Sequence, residues 1–306
     1  MNIFWWQTKE LLKRIRFWGL IFAPVGIGWT LTEIAIAAGY DKTISPYLNY
    51  LWFLLIFGLL LSVVINWPKK SVSTQLPNID TEVEVRVGNI FQSNHPIVVT
   101  IPTTLETDFV NRAIDRSSIQ GQYTIKYCQK PEYLANAIQI AAEIIPSIDF
   151  VKNFYSPVTD IPIYPPGEVF VIRDFSRVGY LLTFATFNEH GIAQLNADDF
   201  VDLLPNLWLK IRERGDVGNI DLPLIGSRFG RIGIENRREI LRELINSFSV
   251  ACAEARLADK VTFYITPADF TRWGFTFEYI QRLLHNICDD HRRKLVANGP
   301  IGQPAD

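Results

Sequence analysis

Two long stretches near the start of the chain are almost free of charge, and no other feature constrains the fold as tightly. Residues 47–67 contain no Asp, Glu, Lys, Arg or His, and residues 17–39 are interrupted only by Glu33. As a helix rising about 1.5 Å per residue, the 47–67 stretch reaches about 30 Å, the thickness of a bilayer's hydrocarbon. The charges flanking these stretches predict an orientation. Lys9, Lys13, Arg14 and Arg16 precede the first run and Lys69 and Lys70 follow the second, whereas residues 40–46 offer only Lys42 beside Asp41. Cationic flanks stay on the cytoplasmic side. Residues 1–70 are therefore expected to form a two-helix transmembrane hairpin, with both termini and everything after it in the cytoplasm.

Two other readings fit the same runs. Ala35-Ile36-Ala37 imitates a signal-peptidase site, although the run is longer than a signal core and holds Pro24 and Trp29. Alternatively, the runs are core helices of a soluble protein. The charge boundaries and the rings of Trp18, Tyr40, Tyr47, Tyr50 and Trp67 near the ends favour lipid. Gly19 with Ala23, and Ala35 with Gly39, carry the small-xxx-small spacing of closely packed membrane helices. Residues 1–16 suit an interfacial helix, with Phe4, Leu11, Leu12 and Ile15 on one side. Glu33 would sit about 25 Å above Arg16, at the outer edge of the hydrocarbon, solvated or in a polar contact between copies.

The 306 residues carry a net charge of −2, which gives no basic footprint for nucleic acid. Cys128, Cys252 and Cys288 form no CxxC pair and suit a reducing compartment. His285, Cys288 and His291 recur every three residues and drift around a helix, so no metal site is expected. His95 and His190 have no nucleophile signature nearby, and no catalytic residue is assigned.

Beyond the hairpin, the polar residues 71–80 read as a linker and 296–306 as a tail. Residues 81–87 alternate as a half-exposed strand, and the apolar run 96–101 predicts a central one. A helix is expected over 134–145, a proline-rich loop over 156–167, and a hairpin from 168–175 and 179–188. Asn196 can cap a helix running to Arg214, with Pro205 as a kink or break. Strands at 220–225 and 260–266 then alternate with helices at 235–257 and 273–294. Strands interleaved with helices predict an α/β sandwich on a mixed sheet over 81–295.

The best local signal for chemistry is Ile225-Gly226-Ser227-Arg228-Phe229-Gly230-Arg231-Ile232-Gly233, between an expected strand and an expected helix. Its glycines let backbone N–H groups turn into one concavity at a helix start, and Arg228, Arg231, Arg237 and Arg238 add cationic reach. A diphosphate suits such a turn. The run lacks the Gly-Lys-Ser/Thr of a Walker loop and the GxGxxG of a dinucleotide fingerprint.

Several stretches together resemble a macro domain, a three-layer α/β/α module, and more narrowly the divergent macro domain of the Thoeris antiphage effector family ThsA in its membrane-bound form. They are Val87-Gly88-Asn89-Ile90-Phe91, His95-Pro96-Ile97-Val98-Val99, Tyr164-Pro165-Pro166-Gly167, Gly179-Tyr180-Leu181-Leu182, Pro223 through Arg231, and Asp269-Phe270. The resemblance implies a binder of an ADP-ribose-type signalling ligand, with no cofactor. Its implied ligand residues are Gly226, Ser227, Arg228, Phe229, Gly230 and Arg231 around the phosphates, Asn89 and Ile90, Thr103 and Thr104, and Phe270 beside the nucleoside. It further implies a bacterial inner-membrane protein that self-associates and answers a TIR-domain enzyme through a messenger, with histidine-conjugated ADP-ribose the form expected.

Two departures qualify this. Asn89 stands where macro domains carry an adenine-reading Asp, and Thr100-Ile101-Pro102-Thr103-Thr104-Leu105 replaces an Asn-bearing run tied to hydrolysis. The departures favour a binder that is no enzyme. A membrane-tethered ADP-ribosyl or nucleotide hydrolase is the rival, and a scaffold without ligand is a third reading.

Overall fold

The computed structural model describes residues 3–40, 51–77, 79–107, 109, 114–152, 160–187, 193–216, 218–225 and 236–297. The chain divides into two compact units, Met1–Lys70 and Ser71–Asp306.

In the first unit, α1 spans Ile3–Leu12, α2 Ile15–Ala37 and α3 Leu51–Asn66. Only α2, with 23 residues, is long and apolar enough to cross a membrane among the described residues. The 16 residues of α3 rise only about 24 Å. The remainder of the expected 47–67 span includes residues 47–50, which lie outside the described residues. α2 and α3 pack antiparallel: Ser62 Oγ donates to Phe17 O at 2.6 Å, and a Cβ on Gly58 would meet Ile21 O at 2.5 Å. The close approach therefore falls at Gly58, while Gly19 and Gly39 face open space. Gln7 of α1 donates from Nε2 to Pro68 O at 2.8 Å, and Trp6 and Leu11 are buried. Glu33 accepts from Trp29 Nε1 at 2.8 Å, one turn away.

The second unit is built on a mixed sheet. Its strands are β1 (Ser71–Gln75), β2 (Glu82–Val87), β3 (Ile97–Pro102), β6 (Val169–Ile172), β7 (Gly179–Phe187), β8 (Ala193–Gln194), β9 (Asn219–Pro223) and β10 (Lys260–Ile265). The order is β1-β2-β10-β9-β3-β7-β6, with β8 on β7. β2, β10, β9, β3 and β7 run parallel, and β1, β6 and β8 are antiparallel to their neighbours. β4 (Asp149–Lys152) and β5 (Asp160–Ile163) form a separate antiparallel pair.

Register and the two-residue period assign each side chain to a face. On one face Ile97, Val99, Ile101 and Leu181 pack under α4 (Ile119–Tyr123) and α5 (Pro131–Ala142), whose Leu134, Ala137 and Ile138 join the same core. The other face packs against α6 (Ala197–Arg214) and α7 (Arg237–Glu254). There Trp208 meets Phe248 edge-on at 5.0 Å and Phe184 meets Phe200 at 6.3 Å. After β10 come α8 (Pro267–Arg272) and α9 (Phe277–Ala297), the latter against α7 and β1.

Several expectations change. Residues 71–75, expected as linker, are strand β1; their Ser/Thr alternation pairs residue for residue with β2. β2 is mostly buried, Glu84 included. Pro162, expected in loop, stands in β5, an edge position where a missing N–H costs nothing. The helix expected over 273–294 begins only at Phe277, and residues 267–272, not expected as helix, form α8; Gly274 at φ +62° separates the two. The caps at Asn196 (accepting from Asp199 N at 2.7 Å) and Asn236 (from Arg238 N at 3.0 Å) start α6 and α7.

Candidate functional site

In an open α/β sheet, ligands bind beyond the carboxyl ends of the parallel strands, because helix N-termini and irregular backbone converge there. The strand order makes β2, β10, β9 and β3 immediate neighbours at that edge. The segments singled out in the sequence leave these four strands: Asn89 and Ile90 follow β2, Phe270 follows β10, residues 226–231 follow β9, and Thr103 and Thr104 follow β3. Backbone bonds tie the strand ends together. Gly88 N donates to Ile265 O at 2.9 Å, and Leu224 N to Tyr264 O at 3.0 Å.

The expected ligand residues meet different local fates. Gly226, Ser227, Arg228, Phe229, Gly230 and Arg231 lie outside the described residues. Asn89 caps a short 3-10 turn over Ile90–Gln92, its Oδ1 accepting from Phe91 N at 2.9 Å. Ile90 is buried in the core, leaving backbone rather than side chain for any contact. Thr103 is buried, its Oγ1 donating to Thr186 Oγ1 at 3.3 Å. Thr104 differs: its Oγ1 is buried and has no hydrogen-bond partner among the described residues. Beside it Leu105 holds φ +57°, a conformation costing a non-glycine residue about 1 kcal/mol. A bare buried hydroxyl next to strained backbone is costly unless something else uses it. Phe270 is buried, stacked 6.2 Å from Phe275 and tilted 5.1 Å from Phe277.

A cationic cluster that the sequence reading missed in part stands at the same edge. α7 starts directly after the 226–235 segment, and α8 starts directly after β10. Arg237 of α7 and Arg272 of α8 both lie over the Trp273 ring, at 5.4 and 5.0 Å. Arg238 lies 5.0 Å from the Tyr279 ring centroid and donates to Gly274 O. Burial lowers the pKa of Arg237, with Asp269 pulling it up and Arg272 pushing it down. Asp269 is itself committed to the α8 cap, where Thr266 Oγ1 donates to its Oδ2 at 2.7 Å. Arg237 and Arg238 were visible as charges in sequence; Arg272 and Trp273 gave no signal, because 35 and 36 positions separate them from Arg237.

Beneath the edge, Arg177 holds the β2–β3 connection in place. Its Nε donates to His95 O at 2.5 Å, Nη1 to Ile90 O at 3.0 Å and Nη2 to Asp221 Oδ2 at 2.7 Å. Burial raises the Asp221 carboxyl above its usual pKa, and Ser93, Arg177 and His95 only partly counter it. Neither residue stood out in the sequence, since 44 positions separate them.

These features describe an α/β/α sandwich of the open-sheet class with a cation-rich edge at its strand ends. Residues 83–266 match the family described as Thoeris protein ThsA, Macro domain, and the chain belongs to that family. It is 23% identical over 288 residues to Thoeris protein ThsA of Bacillus amyloliquefaciens (strain Y2), spanning 89% of this chain and 92% of that protein. Among solved structures, the Oceanobacillus iheyensis macrodomain with MES bound is similar at a TM-score of 0.43, with 16% identity over 74% of this chain and 97% of that one. The Trypanosoma brucei macrodomain in complex with ADP-ribose is similar at 0.41, with 9% identity over 62% of this chain and 67% of that one.

Proposed function

We propose that this protein is a membrane effector of a bacterial Thoeris antiphage system whose macro domain senses an ADP-ribose-derived messenger. A partner TIR-domain enzyme makes that messenger from NAD, and histidine-conjugated ADP-ribose is the form we favour. The diphosphate lies in the turn after β9, on backbone N–H groups and arginines, with the nucleoside toward β10 and the distal sugar toward Thr104, just after β3. Occupancy promotes self-association, and the apolar helices of the first unit then disturb the bilayer. No covalent step is required.

The observation that carries this reading is the strand order. It makes β2, β10, β9 and β3, the strands that precede the four segments named from the sequence, neighbours in one sheet, and the Arg237–Trp273–Arg272 cluster adds cationic reach. A ligand shifts a protein only through different affinities for its resting and active arrangements, so binding and membrane action must be separable in experiment.

The test uses the full chain in dye-filled liposomes, given the product that a TIR enzyme makes from NAD. Release of dye with that product, and none with NAD, supports the effector reading. Binding without release would refute it. Conversion of the bound nucleotide, followed by mass spectrometry, would make the protein a hydrolase instead.

A further inference from the structure

The two edges of the sheet are finished differently. At β6 the edge is closed: the strand is largely buried between α5 and α6, and Arg214 Nη1 donates to Val169 O at 2.8 Å. β1 has only β2 as its strand partner, and on its outer side the last carbonyl of the strand, Gln75 O, accepts from Cys288 Sγ of α9 at 3.7 Å. Natural edge strands are guarded by lysine, proline or a bulge, because unpaired N–H and C=O groups template another strand. β1 carries none of these. Its sequence is Ser-Val-Ser-Thr-Gln, and its register with β2 runs unbroken from Ser71↔Arg86 to Gln75↔Glu82.

A groove of about 490 Å³ runs along this edge, between Val72, Ser73 and Thr74 and the α9 residues Glu278, Arg282 and His285. Thr74 Oγ1 and Cys288 Sγ, 3.7 Å apart, hold α9 beside the strand. We propose that β1 pairs antiparallel with β1 of a second copy, centred on Ser73, to make one continuous sheet through two chains. A second copy fits better than a foreign peptide for two reasons. An uncharged five-residue strand is complementary to itself about a two-fold axis through its middle residue. The rim beside it also carries both signs of charge, Glu278 and Arg282, which the same axis can pair between copies. This inference concerns a surface away from the nucleotide edge and stands whether or not that edge binds ADP-ribose.

Cysteine placement makes the test clean. Cys128, Cys252 and Cys288 are all buried, and burial pushes the Cys128 and Cys252 thiols up to about 12, so neither is reactive near neutral pH. Ser73 is exposed. Full-length Ser73→Cys, mildly oxidised in membranes, should give a disulfide-linked dimer, whereas Ser117→Cys at another exposed position should not. Ser73→Lys, which sets like charges face to face, should weaken self-association at least about tenfold, and an equal mixture with Ser73→Glu chains should restore it. Equal cross-linking at positions 73 and 117, or an unchanged oligomer mass in Ser73→Lys, would overturn the proposal.

Discussion

Arg177 and Asp221 form a buried ion pair, Nη2 to Oδ2 at 2.7 Å with both side chains 1% exposed, and it joins the β6–β7 turn to the centre of β9. The same guanidinium satisfies Ile90 O and His95 O, so one side chain fixes the segment that carries Asn89. Removing one member of such a pair leaves an uncompensated charge. Arg177→Met should cost about 3–5 kcal/mol in urea unfolding at pH 7. The double variant Arg177→Met/Asp221→Leu should be less destabilised than Arg177→Met alone.

The pair also predicts a pH signature. The folded Asp221 pKa lies above its ordinary value of 3.8, so the folded state holds the proton longer than the unfolded chain. Stability from this group is therefore highest below 3.8 and declines as pH rises through the folded pKa. Without Arg177 the carboxyl rises further, so Arg177→Met should lose more stability, relative to the natural protein, at pH 7 than at pH 4. Equal losses at both would show that Asp221 is not the group left uncompensated.

Glu84 carries the opposite sign. Burial opposes its charge, but bonds from Lys260, Ser71 and Arg86 outweigh burial and hold its pKa below 4.5. Lys260 Nζ lies 2.8 Å from Oε2 and Arg86 Nη2 lies 2.9 Å from Oε1. This contribution is fully present above pH 4.5 and disappears as pH falls through the folded value. Acid unfolding of Glu84→Gln should consequently be shallower below pH 4.5 than that of the natural protein, with lower stability at pH 7.

Thr104 separates a structural role from a ligand role. Its Oγ1 is buried without a partner, so Thr104→Val removes an unsatisfied hydroxyl. Thermal unfolding should show it equal to or about 1 kcal/mol more stable than the natural protein. If the hydroxyl serves the distal sugar, the same change should weaken ADP-ribose affinity about fivefold or more. A gain in stability with unchanged affinity would remove Thr104 from the site.

Much of the second unit was legible because apolar periodicity and buried strands announce themselves. The apolar run of β3, the Asn196-capped start of α6, and the strands β9 and β10 all fall where residue pattern places them. β1 was not legible: Ser71–Gln75 has the composition of a linker and is a strand only because β2 lies beside it. Glu84 was read as half-exposed because its burial depends on Lys260, 176 positions away. The sequence offered the candidate site as four short segments, and that the strands preceding them are neighbours follows from strand order, which no local pattern encodes. Arg177, Arg272 and Trp273 became visible only once turns brought distant residues together.

The central claim is that the turn after β9 grips a diphosphate. Calorimetry of the full-length protein in detergent, titrated with ADP-ribose and its histidine conjugate, tests it most directly, with Gly226→Asp as the comparison. A carboxylate at that glycine would occupy the phosphate's place. The account predicts saturable one-to-one binding that Gly226→Asp abolishes. No heat with either nucleotide, or equal affinity in Gly226→Asp, would contradict it.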